Sequence, residues 1–518
     1  MRFSKTNRAF HIIFLLAFGW IVVNVFLLLG GQNAFCVLAG AALAAVAVIA
    51  YKLLEKHAKK RHIEHYDKVF WIMFAVMFLL QILMGYLLMY EPGSDLKAVH
   101  SFAKGVAATG SFSNTYDLYP SAQGYMARYP NNNGIFLLLT GYYRVLYLIF
   151  GKVPLSGAIF LNVIALSASV FFIYQTAKKI FSAAGAFLTF LLCFFFLPFY
   201  TYTPFFYTDT LSMPFVIIPL FLYISALKTK RTSRRYIYLI LSAGLVFVGY
   251  SLKGSAAIIL IGAVVFLFLS VPVKRAFACM STVIGVFLVC MLAFNSLVAT
   301  LNFAPPEQLN KRQYPVTHWI MMGLKGNGGY NRADSNFTDK SGTYDEKKAA
   351  NIEEIKKRLK DYGPDGLFNH LTEKGTWTWS DGTYYRTWSD GTYYISNHIW
   401  NEPHRPNILH QFLLRNGKYH DSFVFASNMF HLMTLLMICL SALASIIRPR
   451  MNFSVLFKGL IFGVFLFFLV WEARPRYLLN FAPVYLLVAA DGIIAVADFK
   501  WKRSKKERSG NRLDAPAV

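Results

Sequence analysis

Acidic side chains are scarce in this 518-residue sequence: 26 Asp and Glu stand against 52 Lys and Arg, a formal net charge of +26. Charged residues of both signs make up only 15% of the chain, where a soluble globular protein carries roughly 25%. So few charges cannot cover a water-facing surface of this size, which excludes a wholly soluble protein. Cysteine is also sparse. Cys36, Cys193, Cys279, Cys290 and Cys439 all lie in apolar runs without metal-ligand spacing, which argues against disulfides and structural zinc. There is no GxxxxGK[ST], no GxGxxG on a strand–helix turn and no Asp-x-Asp, so phosphate-cradling loops and the usual soluble nucleotide-sugar site are unsupported. Inverted repeats with broken helices, the mark of many transporters, are missing too. Gly326, Gly328 and Gly329 read only as a flexible loop.

What the chain has in abundance is apolar and aromatic side chains. Hydrophobic residues reach 56%, with 48 Phe and 30 Tyr, which excludes intrinsic disorder. A spanning helix needs roughly 20 apolar residues. Candidate runs centre on 9–31, 34–54, 69–90, 134–150, 154–177, 183–200, 209–227, 236–252, 255–271, 276–300, 423–446, 454–471 and 475–497. The first follows a basic start like a signal peptide, but it is too long for one and reads as an uncleaved span. Segments rich in Lys and Arg at 1–8, 52–62, 177–179, 228–235, 273–275, 446–450 and 500–508 should share the cytoplasmic side. They do so only if one candidate fails to cross. The run 134–150 is short and carries Arg144 at its centre, so it is expected to lie at the interface. Twelve spans remain, with both termini cytoplasmic. The expected fold is an all-α polytopic membrane protein with juxtamembrane helices and a mixed extracytoplasmic insert. It divides into a transmembrane core at 1–300 with a first outer loop at 91–133, an outer segment at 301–422, C-terminal spans at 423–499 and a basic tail at 500–518. The excess charge then encodes topology, and nucleic acid is not an expected partner.

Three cations break this pattern. Lys253 in SLKGS, and Arg474 and Arg476 in WEARPRY, sit at the outer ends of spans. Misplaced charges at a membrane boundary are functional candidates, although snorkelling to headgroups is the plainer reading. Two acids stand on the same side. Asp95, after a span in PGSD, is either a helix N-cap or a carboxylate placed to take a proton or hold a divalent ion. Asp209 in YTDT carries the same two readings. Arg128, Asn132 and Asn133 in RYPNNNG, with His318 further on, are candidate substrate-binding residues. The outer segment repeats TWSDGTYY at 378–385 and 387–394. Asp-Gly suggests a strand–turn–strand tip, or one copy is a tandem duplication in a tolerant loop. The Trp and Tyr suit carbohydrate stacking and the membrane interface equally.

These motifs together resemble the GT-C superfamily of polytopic glycosyltransferases, in particular relatives of protein O-mannosyltransferases and aminoarabinose-type lipid A transferases. The likeness covers most of the chain as architecture and rests on PGSD, RYPNNNG, YTDT, SLKGS and ARPRYL. It implies inverting transfer of a sugar from a polyprenyl-phosphate donor to an acceptor hydroxyl of a glycan, lipid or protein on the outer membrane face. It implies Asp95 as catalytic base or metal-associated acid and Asp209 as a second catalytic acid. Lys253, Arg474 and Arg476 would hold the donor phosphate. A divalent metal ion is the one cofactor left open. The chain departs from the family in having a lone loop Asp where the O-mannosyltransferases have Asp-Glu, and in two extra spans before the loop. The rival expectation is a lipid-linked sugar flippase, which would use the same cations without a carboxylate base. A third is a membrane receptor or scaffold whose outer segment binds glycans.

Overall fold

Runs this apolar can satisfy their backbone groups in lipid only as helices, and the chain follows that rule. The computed structural model describes residues 2–58, 64–112, 115, 120–301, 303–385, 407–448 and 452–499, and every regular element among them is helical. The long helices are α1 (Arg2–Gln32), α2 (Ala34–Ala58), α3 (Glu64–Leu87), α4 (Ser94–Thr109), α5 (Asn133–Phe150), α6 (Leu155–Ile180), α7 (Ala183–Phe194), α8 (Pro214–Lys228), α9 (Thr232–Leu252), α10 (Ala257–Ser270) and α11 (Val273–Leu301). After a short helix α12 (Thr317–Gly323) come α13 (Tyr344–Trp379), α14 (His420–Ile447), α15 (Phe453–Val470) and α16 (Ala482–Ala497). This is an all-α polytopic membrane protein.

Among the described residues, eleven stretches are long and apolar enough to cross a membrane. Pro130–Phe150 is among the eleven, whereas Ala183–Phe194 and Gly254–Ser270 are shorter. Length alone does not make α5 a crossing helix. At its start, a Cβ on Gly134 would lie 2.0 Å from the Ser251 carbonyl oxygen near the end of α9. Further along, Tyr142 donates to Gly157 O (3.0 Å) in the first turn of α6. Both contacts lie at the same end of the bundle, because the far end of α6 meets the end of α8, from which α9 starts four residues on, with Lys228 donating to the Lys179 carbonyl. The central Arg144 is satisfied there by the Ala107 carbonyl of α4 (2.7 Å).

α7 stops at Phe194, and a largely buried irregular stretch follows to Met213. Backbone of this kind at membrane depth needs protein partners. Gln81 Nε2 donates to Phe199 O (3.0 Å), and Asn162 Nδ2 donates to Tyr202 O (2.8 Å) and Thr203 O (2.9 Å). Two buried amides thus hold open the stretch that delivers Asp209.

The basic segments meet at the opposite end. Arg8 Nε donates to Ile446 O (3.1 Å), Lys228 lies 5.8 Å from the Phe453 ring and Arg448 lies 5.2 Å from the Phe499 ring.

The described parts of 301–422 are helical, not mixed. A reciprocal capping box between Thr343 and Glu346 starts α13. Gly363, at φ 58°, kinks it just before Pro364. The first TWSDGTYY is no exposed tip. Trp379 is 1% exposed and packs edge-on to Phe18 (4.8 Å). Tyr385 stacks on Tyr202 (4.3 Å), and Asp381 accepts from Thr383 N and Oγ1 within the turn. The aromatic side chains of that copy therefore form core, because the end of α13 enters the bundle. The second copy, 387–394, lies outside the described residues, as does the tail 500–518.

Candidate functional site

Three chain segments converge at the end away from the basic loops. The first is the residue after α9, where Lys253 takes an extended backbone (φ −153°, ψ 111°) and breaks the helix. The second is the irregular stretch ahead of α8, where Asp209 is 0% exposed in a single helical turn, Thr208–Leu211. The third is the turn between α15 and α16, 471–481, which carries Glu472, Arg474 and Arg476.

The Asp209 carboxylate ties them together. Lys253 Nζ hydrogen-bonds to Oδ1, and Arg476 Nε lies 3.2 Å from Oδ2. Lys253 Nζ also donates to Tyr477 O (3.3 Å). The Arg476 guanidinium lies 5.4 Å from the Phe205 ring and 5.5 Å from the Tyr477 ring, contacts that suit its weakly hydrated face. Burial pulls the Lys253 amine down, and Asp209 opposes it. A carboxylate this deep is costly unless paired, and removing one partner strands the others. Asp209 is thus the counter-ion of the two cations.

A second pair lies beside the first. Arg474 Nε is 3.4 Å from Glu472 Oε1, which also accepts from the Tyr477 hydroxyl (3.1 Å), and the guanidinium lies 5.8 Å from the Tyr330 ring. Burial pushes the Glu472 carboxyl up, with the Arg474 charge opposing. Arg474 is more accessible than Arg476, with side-chain exposures of 14% and 6%.

Asp95 stands in the first turn of α4, whose cap is Gly93, so neither Asp95 nor Ser94 is the N-cap. It is exposed and makes no hydrogen bond or ion pair among the described residues. Burial raises the Tyr125 and Tyr129 phenols, and the Asp95 charge adds to both, as it does at Glu472. Asp95 therefore lies within electrostatic reach of Glu472, which pairs with Arg474.

The other candidates divide. Asn132 Nδ2 donates to Tyr125 OH (2.8 Å), in the wall next to Asp95. Asn133 is buried, and its Oδ1 has no hydrogen-bond partner among the described residues. Arg128 pairs with Asp339 (3.0 Å) and lies 5.5 Å from the Tyr314 ring, joining the first loop to the later segment. His318 turns inward, 2% exposed, with Nδ1 2.7 Å from Thr338 Oγ1. It packs as a core histidine. Sequence reasoning missed Glu472, Tyr125 and Tyr477. Glu472 had a legible signal, a carboxylate two residues before Arg474 at a span boundary. Tyr125 had none. Among the described residues no group of three or more His, Cys, Asp or Glu is arranged to hold a metal ion, so a divalent ion finds no ready donor set there.

A family model described as "Conserved hypothetical integral membrane protein" matches residues 4–494. No curated protein matches the chain. Among solved structures, the chain is similar to the archaeal oligosaccharyltransferase AglB from Archaeoglobus fulgidus, solved in complex with an inhibitory peptide and a dolichol-phosphate. The TM-score is 0.45 and the identity 13%, over 82% of this chain and 50% of that one. The chain thus spans about half the length of that structure.

Proposed function

The chain belongs to this family of conserved integral membrane proteins, and from that premise we propose that it is a GT-C-type glycosyltransferase using a polyprenyl-phosphate sugar on the outer membrane face. One observation carries the reading. Three cations that the topology isolates meet around Asp209 and Glu472, and an accessible Asp95, with no hydrogen bond or ion pair among the described residues, lies within electrostatic reach of Glu472.

In this reading Arg474, the most open of the three, meets the donor phosphate first. Arg476 and Lys253 hold the far side through charge-assisted hydrogen bonds, and Asp209 keeps both oriented. An apolar groove of about 220 Å³ between α10 and α15, lined by Ile258, Gly262, Val265, Gly459, Phe462 and Gly463, suits the polyprenyl tail. Its residue Ile258 lies five residues beyond Lys253. Asp95 takes the proton of the acceptor hydroxyl as that oxygen bonds to the anomeric carbon. The anomeric carbon–phosphate oxygen bond breaks with inversion, and the electron pair leaves on the phosphate. The guanidinium groups stabilise that charge as it develops. The acceptor is a glycan, lipid or protein hydroxyl.

The test is Asp95→Asn, with donor turnover and donor binding measured separately on purified protein. A fall in turnover of about 10²–10⁴ with binding retained is expected for loss of a general base. Unchanged turnover would remove Asp95 from the mechanism. Donor binding and flipping without transfer by the wild type would favour the flippase.

A further inference from the structure

We propose that Lys374 is a positioning residue: its single ammonium caps the C-termini of α12 and α15 together and thereby sets the loop that presents Arg474 and Arg476 to phosphate. This rests on reading the cation cluster as a phosphate site.

The last carbonyls of any helix lack intrahelical partners and carry a partial negative charge. Lys374, near the end of α13, is 0% exposed and fills that role twice. Its Nζ donates to Gly323 O at the end of α12 (2.8 Å) and to Leu469 O in the last turn of α15 (2.9 Å). His370, one turn earlier on α13, adds Nε2 to the same Gly323 carbonyl (3.1 Å).

Gly323 and Gly328 make room for this side chain, so this stretch is not merely a flexible loop. A Cβ on Gly328 would sit 2.4 Å from Lys374 Cε, and Gly328 also holds φ +77°. A Cβ on Gly323 would sit 2.8 Å from Nζ and 2.7 Å from the Val470 carbonyl. The same loop grips the site turn directly. Glu472 N donates to Trp319 O (3.0 Å) and Ala473 N to Gly328 O (2.9 Å), while Trp319 stacks on Trp471 (5.6 Å). From Lys374 the connection to Arg474 therefore runs through two backbone hydrogen bonds and the Glu472 carboxylate.

An ammonium in this position is expensive. Burial pulls it down to about 7, with only Glu472 opposing. Taking an ammonium out of water offsets much of what its two hydrogen bonds contribute. Stability alone therefore gives weak reason for a lysine here, and placement of the loop gives a strong one.

The experiment compares the full-length wild type with Lys374→Met and Lys374→Gln in detergent. It measures affinity for a short polyprenyl monophosphate, affinity for the matching polyprenol, and the thermal midpoint. We expect both variants to keep the wild-type midpoint within a few degrees and to bind the alcohol normally. Their affinity for the phosphate should fall about tenfold or more. Wild-type phosphate affinity in a folded variant overturns the proposal. So does equal loss of alcohol and phosphate binding with a lowered midpoint, since that is a purely structural role. If the wild type itself binds phosphate no better than alcohol, the phosphate site fails and takes this inference with it, an outcome distinct from the other two.

Discussion

His100 and His318 are both buried and neutral at the end of the bundle that carries the cations. His100 Nδ1 lies 2.7 Å from the Tyr143 hydroxyl and His318 Nδ1 lies 2.7 Å from Thr338 Oγ1. Burial brings each down to about 4, helped at His100 by Lys104; at His318 Asp334 opposes it while Lys347 and Arg128 assist. The sign follows from linkage. Between about pH 6.5 and 4 the unfolded chain binds protons that the folded chain refuses, so the stability these neutral rings hold above pH 6.5 is lost on acidification. Each ring accounts for roughly 3 kcal/mol across that window. His318→Gln should therefore flatten the fall of the thermal midpoint between pH 6.5 and 4, and an unchanged profile would show that His318 is accessible to protons in the native state. At this scale the cations were legible because Lys253, Arg474 and Arg476 stand where a charge rule says they should not. The packing of His318 was not legible, because no local pattern distinguishes a core histidine from a ligand-binding one until Thr338 and Asn351 are brought together beside it from later in the chain.

The ends of the helices hold more of the design than the helices themselves. Apolar runs announce helices, and most were legible with their bounds. Breaks were not, because the groups that permit them are distant. The stretch after α7 persists through Gln81 on α3 and Asn162 on α6. The buried half of the tandem repeat shows the same limit. Trp and Tyr next to Asp-Gly look like a surface tip, yet His431 Nε2 sits 2.7 Å from the Trp379 carbonyl and Asn428 Oδ1 accepts from Gly382 N (2.9 Å). Truncating a core tryptophan typically costs about 3–5 kcal/mol. Trp379→Ala should lower the thermal midpoint in detergent by a correspondingly large margin, while Trp377→Ala, at a half-buried position on the same helix, should cost far less. Equal effects would mean that the first repeat is not seated in the bundle.

For the whole molecule, the arrangement of charge predicts an orientation that no single residue carries. Basic segments from the start of the chain, the α6–α7 and α8–α9 turns and the region after α14 collect at one end, through contacts such as Arg8 with Ile446 and Lys228 with Lys179. Asp95, Lys253, Arg474 and the α12–α13 segment occupy the other. Short loops rich in Lys and Arg stay in the cytoplasm, so the cation cluster should face outward, where a donor flipped across the membrane would meet it. Lys230, between α8 and α9, and Lys356, on α13, are both exposed and report opposite ends. The native cysteines are buried or half-buried, so they leave a low labelling background. In intact cells a membrane-impermeant maleimide should label Lys356→Cys at once and Lys230→Cys only after permeabilisation. The reverse pattern would place Asp95 and its cations on the cytoplasmic side and end the case for an outer-face transfer, whatever the binding experiments show.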